Sequence, residues 1–399
     1  MTERSLQDLR SDALGRTALI AALSDAFDRI PLTPEANAKA NRFLAQVNPR
    51  EYVGSRHHTV PRFLLSRWAT KNHAAVYHRV EAEFRMENVS NLAIKDFYTF
   101  IDKSGSLDSS FESLLGAIEP PAADIVNQLL SPFRRVPNLS TDQIFELALF
   151  MSFLPVRTTR RRREMELQGE WHAKTMAEGR LSDAELRKIT VIPHQNNMLS
   201  VSFTAARELV PFFASRPVAL VWLQGARLLL GDEPLIVNAP VDETHHPDCF
   251  VTEDEWRRRE AKERRKKKQR RRPVNRVIHF QSTAPRGVGV ADELVLPISP
   301  RAALWWGPLG QGVFTGPVES EKLSVSDSQR FADLTNAATA RQALDWIIST
   351  VDDSDFRSRV MPPLEPLLHV CDRETAAAHA VNKVPERFRP HRLDRQASR

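Results

Sequence analysis

His57 and His58 stand side by side in the run RHHTVPRFLLSRWATKNH, immediately ahead of an apolar stretch. Imidazole changes charge near neutral pH and, when neutral, is the commonest metal ligand, so a pair at a helix start can bind a metal or an anion. It can equally do no more than satisfy backbone groups at the helix entrance. Glu112 and Glu119 are seven residues apart, close to two helical turns, which puts both carboxylates on one face. They either point at a common site or are solvated and paired with nearby arginines. Arg157, in LPVRTTR, follows an apolar helix, where a guanidinium suits bidentate pairing with a carboxylate or a phosphate. Arg160 to Arg163 read as a solvated face. Asp232, in LLLGDEPLIV, ends a strand, and Pro234 fixes the following turn; the carboxylate is either held for catalysis or ligation, or caps its own turn.

Imidazoles and carboxylates together can hold Mg²⁺, Mn²⁺ or Zn²⁺ and activate water, with Arg157 stabilising an oxyanion or a phosphate. In that reading His57, His58, Glu112, Glu119, Arg157 and Asp232 form the catalytic set, and His58, Glu112 and Asp232 are the metal ligands. Without a metal, the same groups make a general acid/base pair, or an ion-pair network that only holds the fold. A second feature points to the substrate. The run EWRRREAKERRKKKQRRRPVNR, Glu255 to Arg276, is nearly devoid of apolar residues and cannot supply a core. Its Arg264, Arg265, Lys266, Lys267, Lys268, Arg270, Arg271 and Arg272 either neutralise several phosphates and release counterions without reading a base sequence, meet an acidic protein surface, or form a solvent-exposed insertion with no partner. The expected function is a metal-dependent phosphodiester hydrolase acting on RNA or DNA. The alternative is a non-catalytic protein that binds nucleic acid or a protein partner and whose polar cluster is structural.

These residues need elements to hold them. Pro61 fits the first turn of a helix, with Phe63, Leu64, Leu65 and Trp68 as its buried face. Two strands are expected in AAVYHRV and DFYTF. Helices follow over 111–130, with Pro120 and Pro121 breaking the first, and over 141–178, with Pro155 kinking or ending the second. A capping box at Ser182–Glu185 precedes another helix over 197–213. VALVWLQ and ARLLLGDEPLIV predict a hairpin across Gln224 and Gly225. VIHFQ, GVADELVLPIS, AALWWGP and GVFTG predict further antiparallel strands, and 325–349 a last helix. The fold class is α+β, a helical first half packed on a mainly antiparallel sheet from the second half. Residues 1–50 read as a helical extension, 51–350 as the main domain with a basic insertion at 240–285, and 351–399 as a tail.

Several of these segments, in the same order, resemble a microbial family catalogued as domain of unknown function 4238. The carriers are HHTVPRFLLSRWA, NLAIKDFYTF, FESLLGAIE, LPVRTTR, LLLGDEPLIV and LVLPISP, spread over Ser55 to Trp306. Departures are Leu154 and Ile298, where members often carry Gln and Leu, and the basic insertion after Asp-Glu-Pro. The resemblance implies a shared fold and a shared polar site, and brings no activity with it.

Composition narrows the remaining classes. Of 399 residues, 42% are hydrophobic and 27% charged, and no apolar run is long enough to cross a bilayer, so a membrane span is not expected. The first 27 residues mix charges into their apolar pattern, unlike a secretory leader, which gives a cytoplasmic expectation. Cys249 and Cys371 are too few for a disulfide framework and lack zinc-site spacing. With 56 basic against 50 acidic residues the excess is local, so its position at 255–276 carries the information.

Overall fold

Among the described residues, the first element is a two-residue strand, β1 (His57–His58), followed by a single helical turn, α1 (Arg62–Leu65), for which Pro61 is the N-cap. The computed structural model describes residues 57–95, 100–101, 107–108, 110–131, 138–177, 180–188, 195–238, 279–281, 288, 291, 293–310, 313–362 and 369–371. The expected helical extension at 1–50 and the basic run lie outside the described residues. By contacts the chain divides into two units: 1–162 with 194–239 and 287–364, and 163–193 with 240–286 and 365–399.

In the first unit, β2 (His73–His78) and β3 (Glu83–Asn88) form an antiparallel hairpin whose second strand is too polar for sequence patterning to find. β4 (Ile94–Lys95) returns to pair with β1, setting His57 opposite Lys95 and His58 opposite Ile94. A second short ladder joins β5 (Phe100–Ile101) to β6 (Leu107–Asp108). The next element, α2 (Ser110–Leu129), runs straight through Pro120 and Pro121 instead of breaking there. Phe111, Leu114, Leu115, Ile118, Ala122, Ile125, Val126 and Leu129 make one buried stripe along it. Burying seven large apolar side chains, at roughly 1.5–3 kcal/mol each, exceeds the ~3 kcal/mol cost of each of the two interior prolines.

Ser140 opens α3 (Thr141–Phe153) with a capping box to Gln143, and the helix stops before Pro155, as expected. α4 (Thr159–Ala177), α5 (Asp183–Lys188) and α6 (Gln195–Ala214) follow. α3 lies against both α2 and α6.

The strands that come next are β7 (Val218–Trp222), β8 (Leu230–Gly231) and β9 (Ile236–Asn238), then β10 (His279–Gln281). After them come β11 (Glu293–Ser299), β12 (Ala302–Trp306), β13 (Glu319–Lys322), α7 (Val325–Gln342), β14 (Trp346–Ser349), α8 (Ser354–Ser358) and β15 (His369–Cys371). They build a five-stranded sheet in the order β13-β7-β12-β11-β9 and a four-stranded sheet in the order β3-β2-β14-β8. The fold is α+β, and among the described residues the strand pairings are antiparallel except that β13 runs parallel to β7.

Three expectations need correction. The hairpin across Gln224 and Gly225 does not form, because β7 pairs with β12 while β8 pairs with β14 in the other sheet. The segment 325–349 is helix only to Gln342, and its β-branched end, Trp346-Ile347-Ile348, is a buried central strand. Val313–Gly316, in the expected strand GVFTG, forms bends.

The core of the first unit gathers Trp68, Phe111, Phe150, Phe153, Phe213 and Trp306. Trp68 meets its polar obligation by donating its indole N–H to the Leu228 carbonyl at 2.9 Å. The buried Arg216 donates to three carbonyls, those of Gly307 and Val288 at 2.6 Å and of Ala291 at 2.8 Å. In the second unit, β10 pairs antiparallel with β15.

Candidate active site

Glu112 and Glu119 occupy one face of α2, and that face meets the segment between α3 and α4. There Arg157, its side chain buried, donates from Nη1 to Glu119 Oε1 at 2.7 Å. The pairing follows from local structure: Pro155 ends α3, and the chain turns through Val156 to Thr158, all buried, so the guanidinium has no route to solvent. Glu112 sits deeper than Glu119. Burial, reinforced by the negative charge of Glu119 and opposed by Arg157, pushes its carboxyl up to about 7. Its Oε2 is buried and has no hydrogen-bond partner among the described residues.

His58 joins this group from β1. Its ring is partly buried, and burial lowers its pKa below the ordinary value while Glu119 opposes the shift. The Ser90 backbone hydrogen-bonds the ring. Nε2 is buried without a partner among the described residues. Glu119 therefore acts electrostatically on both His58 and Glu112, while Arg157 acts on all three. An imidazole whose pKa burial lowers, a carboxyl pushed up to about 7 and the Arg157 guanidinium thus share one electrostatic environment.

Asp232 belongs to a different polar group. Its Oδ1 accepts from the Leu344 N–H at 2.9 Å and its Oδ2 from the Asp345 N–H at 2.8 Å. Complete burial and the charge of Asp345 raise its pKa, against the pull of these two amides and of Arg160. Both oxygens thus clamp the chain entering β14. Among the described residues, no group of three His, Cys, Asp or Glu side chains is placed to hold a metal ion. His57 lies on β1 with its backbone opposite Lys95.

Arg160 is not on a solvated face: it is buried and donates from Nη1 to the Gln342 carbonyl at 2.9 Å. Sequence reasoning also missed Arg79, Lys95 and Asp345. The N–H of Arg79 donates to the Asp345 carbonyl at 2.9 Å, and the Lys95 ammonium lies 3.1 Å from Asp345 Oδ2. The available signal was Asp345 directly before the apolar run Trp346-Ile347-Ile348, where a charged side chain at a buried strand entrance needs a partner.

A family model described as a protein of unknown function, DUF4238, matches residues 56–353, and the chain belongs to that family. No curated protein and no solved structure matches the chain. No helix among the described residues is long and apolar enough to cross a membrane.

Proposed function

We propose that this protein is a hydrolase of phosphodiester bonds in nucleic acid, working by general acid–base catalysis at His58 and Glu112. The observation that carries the reading is that two atoms able to exchange protons, His58 Nε2 and Glu112 Oε2, are both buried without partners and both lie in the field of Glu119 and Arg157. In the reaction, His58 Nε2 takes a proton from water as the water oxygen forms its bond to phosphorus. The bond from phosphorus to the leaving oxygen breaks, and Glu112 gives that oxygen its proton. Solvent then returns the proton from His58 to Glu112. Arg157 favours the charge that develops on the phosphoryl oxygens. The basic run at 255–276 supplies sequence-independent attraction to the polyanion.

A divalent ion would be held by His58 and by Glu112 in its ionised form, with water completing its shell, and would then take the place of the proton exchange between them. Asp232 is a poorer third ligand than the sequence pattern suggests, because backbone amides occupy both of its oxygens. One observation favours a second reading, a non-catalytic binding protein: Arg157 is already neutralised by Glu119, as in a purely structural ion pair.

Cleavage of labelled single- and double-stranded RNA and DNA, with chelator and with added Mg²⁺, Mn²⁺ or Zn²⁺, separates the two. Hydrolysis that His58→Ala lowers by about 100-fold or more supports the enzyme. Binding without cleavage under every condition leaves the binding protein.

A further inference from the structure

The strand that carries His58 is too short to hold itself. β1 has two residues and its partner β4 has two, so the ladder between them is hardly longer than a single turn of chain. Its extension is modest: Thr59 donates both its N–H, at 2.8 Å, and its hydroxyl, at 3.2 Å, to the Ala93 carbonyl. Ala93 itself has φ of 63°, a left-handed conformation that disfavours any residue with a Cβ. The His58 ring is tied to Ser90, which belongs to the same returning segment. Both of the imidazole's attachments therefore depend on where the segment from Ser90 to Lys95 lies.

One side chain at the end of that segment reaches a rigid part of the fold. The Lys95 ammonium lies 3.1 Å from Asp345 Oδ2. Asp345 is itself held through its backbone, its N–H donating to Asp232 Oδ2 at 2.8 Å and its carbonyl accepting from the Arg79 N–H at 2.9 Å, while its Oδ2 meets Lys95 as an ion pair without hydrogen-bond geometry. The next residue, Trp346, begins β14, a central strand of the four-stranded sheet. Asp345 thus joins the ends of β2, β8 and β14 at one point, and Lys95 ties β4 to it.

We infer that the Lys95–Asp345 ion pair is a positioning device for His58, with Asp232 acting behind it as the clamp that fixes Asp345. The inference rests on the reading of His58 as the proton acceptor. It gives Asp232 and Asp345 a part in the site without contact with substrate, and it explains how two polar groups with separate hydrogen-bond partners serve one function. Lys95 and Asp345 are positioning residues.

The test is made on the full-length protein at one fixed pH, with nitrogen NMR of the His58 ring and amide hydrogen exchange at Thr59 as readouts. Lys95→Met keeps most of the aliphatic stem and removes the charge, and Asp345→Asn removes the opposite charge. Each is expected to move the His58 ring resonances and to speed exchange at Thr59 by about two- to fivefold, the range open to a half-exposed ion pair. Lys95→Arg is expected to restore both, and the double variant to be no worse than either single one. Unmoved ring resonances in folded Lys95→Met, or additive effects in the double variant, would overturn the inference. If Asp345→Asn does not fold, Lys95→Met and Lys95→Arg decide the matter alone. Moved resonances in a protein that hydrolyses no phosphodiester would support the positioning role and count against the hydrolase.

Discussion

Glu112→Gln is a substitution whose effect reverses the usual expectation for a buried polar residue: it should stabilise the protein, and more so as pH rises. In the folded chain the carboxyl is pushed from its ordinary 4.5 to about 7, chiefly by burial and then by Glu119. Between those pH values the folded state holds a proton that the unfolded chain has lost. The group's contribution is therefore at its best below the unfolded value, declines as pH rises through the window and levels off above about 7. At about 1.4 kcal/mol for each pH unit, ionising it in place costs about 3 kcal/mol in full, and about 2.5 kcal/mol of that falls between roughly pH 5 and 8. Gln has nearly the same shape and no proton to lose. Urea unfolding of both proteins at the two ends of that range should show the stability difference, variant minus parent, growing by about 2 kcal/mol or more toward high pH. A difference that stays flat with pH would refute the burial of Glu112 beside Glu119, and with it the acid assigned to the reaction. The same variant should lose hydrolysis by about 100-fold or more, since an amide cannot donate the proton.

Three further outcomes are expected. Cleavage should follow a narrow bell, rising with pH as His58 becomes neutral, below its ordinary value, and falling above about 7 as Glu112 ionises; a rate flat across that range would exclude the pair. Replacing Arg264, Arg265, Lys266, Lys267 and Lys268 with Ala should weaken RNA or DNA binding and flatten its salt dependence, as measured by titration at several salt concentrations; unchanged binding would move the interface elsewhere. Asp232→Ala leaves one buried and one part-buried backbone amide without acceptors and should cost about 1–4 kcal/mol in chemical denaturation, so a neutral result would mean that the clamp at β14 is dispensable.

What the sequence reveals of this site is the part that depends on periodicity. Seven-residue spacing is enough to put Glu112 and Glu119 on one face, and a proline after an apolar helix is enough to turn Arg157 inward. The prolines at 120 and 121 mislead because local propensity is counted without the stripe of buried side chains that outweighs it. Pairings distant in sequence leave no local mark. Nothing near Gln224 says that β7 will choose β12, and nothing near Lys95 says that its partner lies at Asp345. Asp232 shows the limit most clearly, because a carboxylate at a strand end looks the same whether it faces a ligand or two amides 112 and 113 positions further along the chain.

Arg216 has a consequence for how the chain accommodates added sequence. Two of its three bonds hold the carbonyls of Val288 and Ala291, on the far side of the stretch from 239 to 287, while Asn238 pairs with Glu293 across the β9–β11 ladder. The two ends of that stretch are thus pinned side by side by contacts that involve none of its own residues. Closing a loop between fixed anchors costs little more when the loop is lengthened, about 0.6 kcal/mol for each doubling. Such a junction works as a splice point. Segments of other length or charge can be exchanged there while the β9–β11 ladder keeps its register.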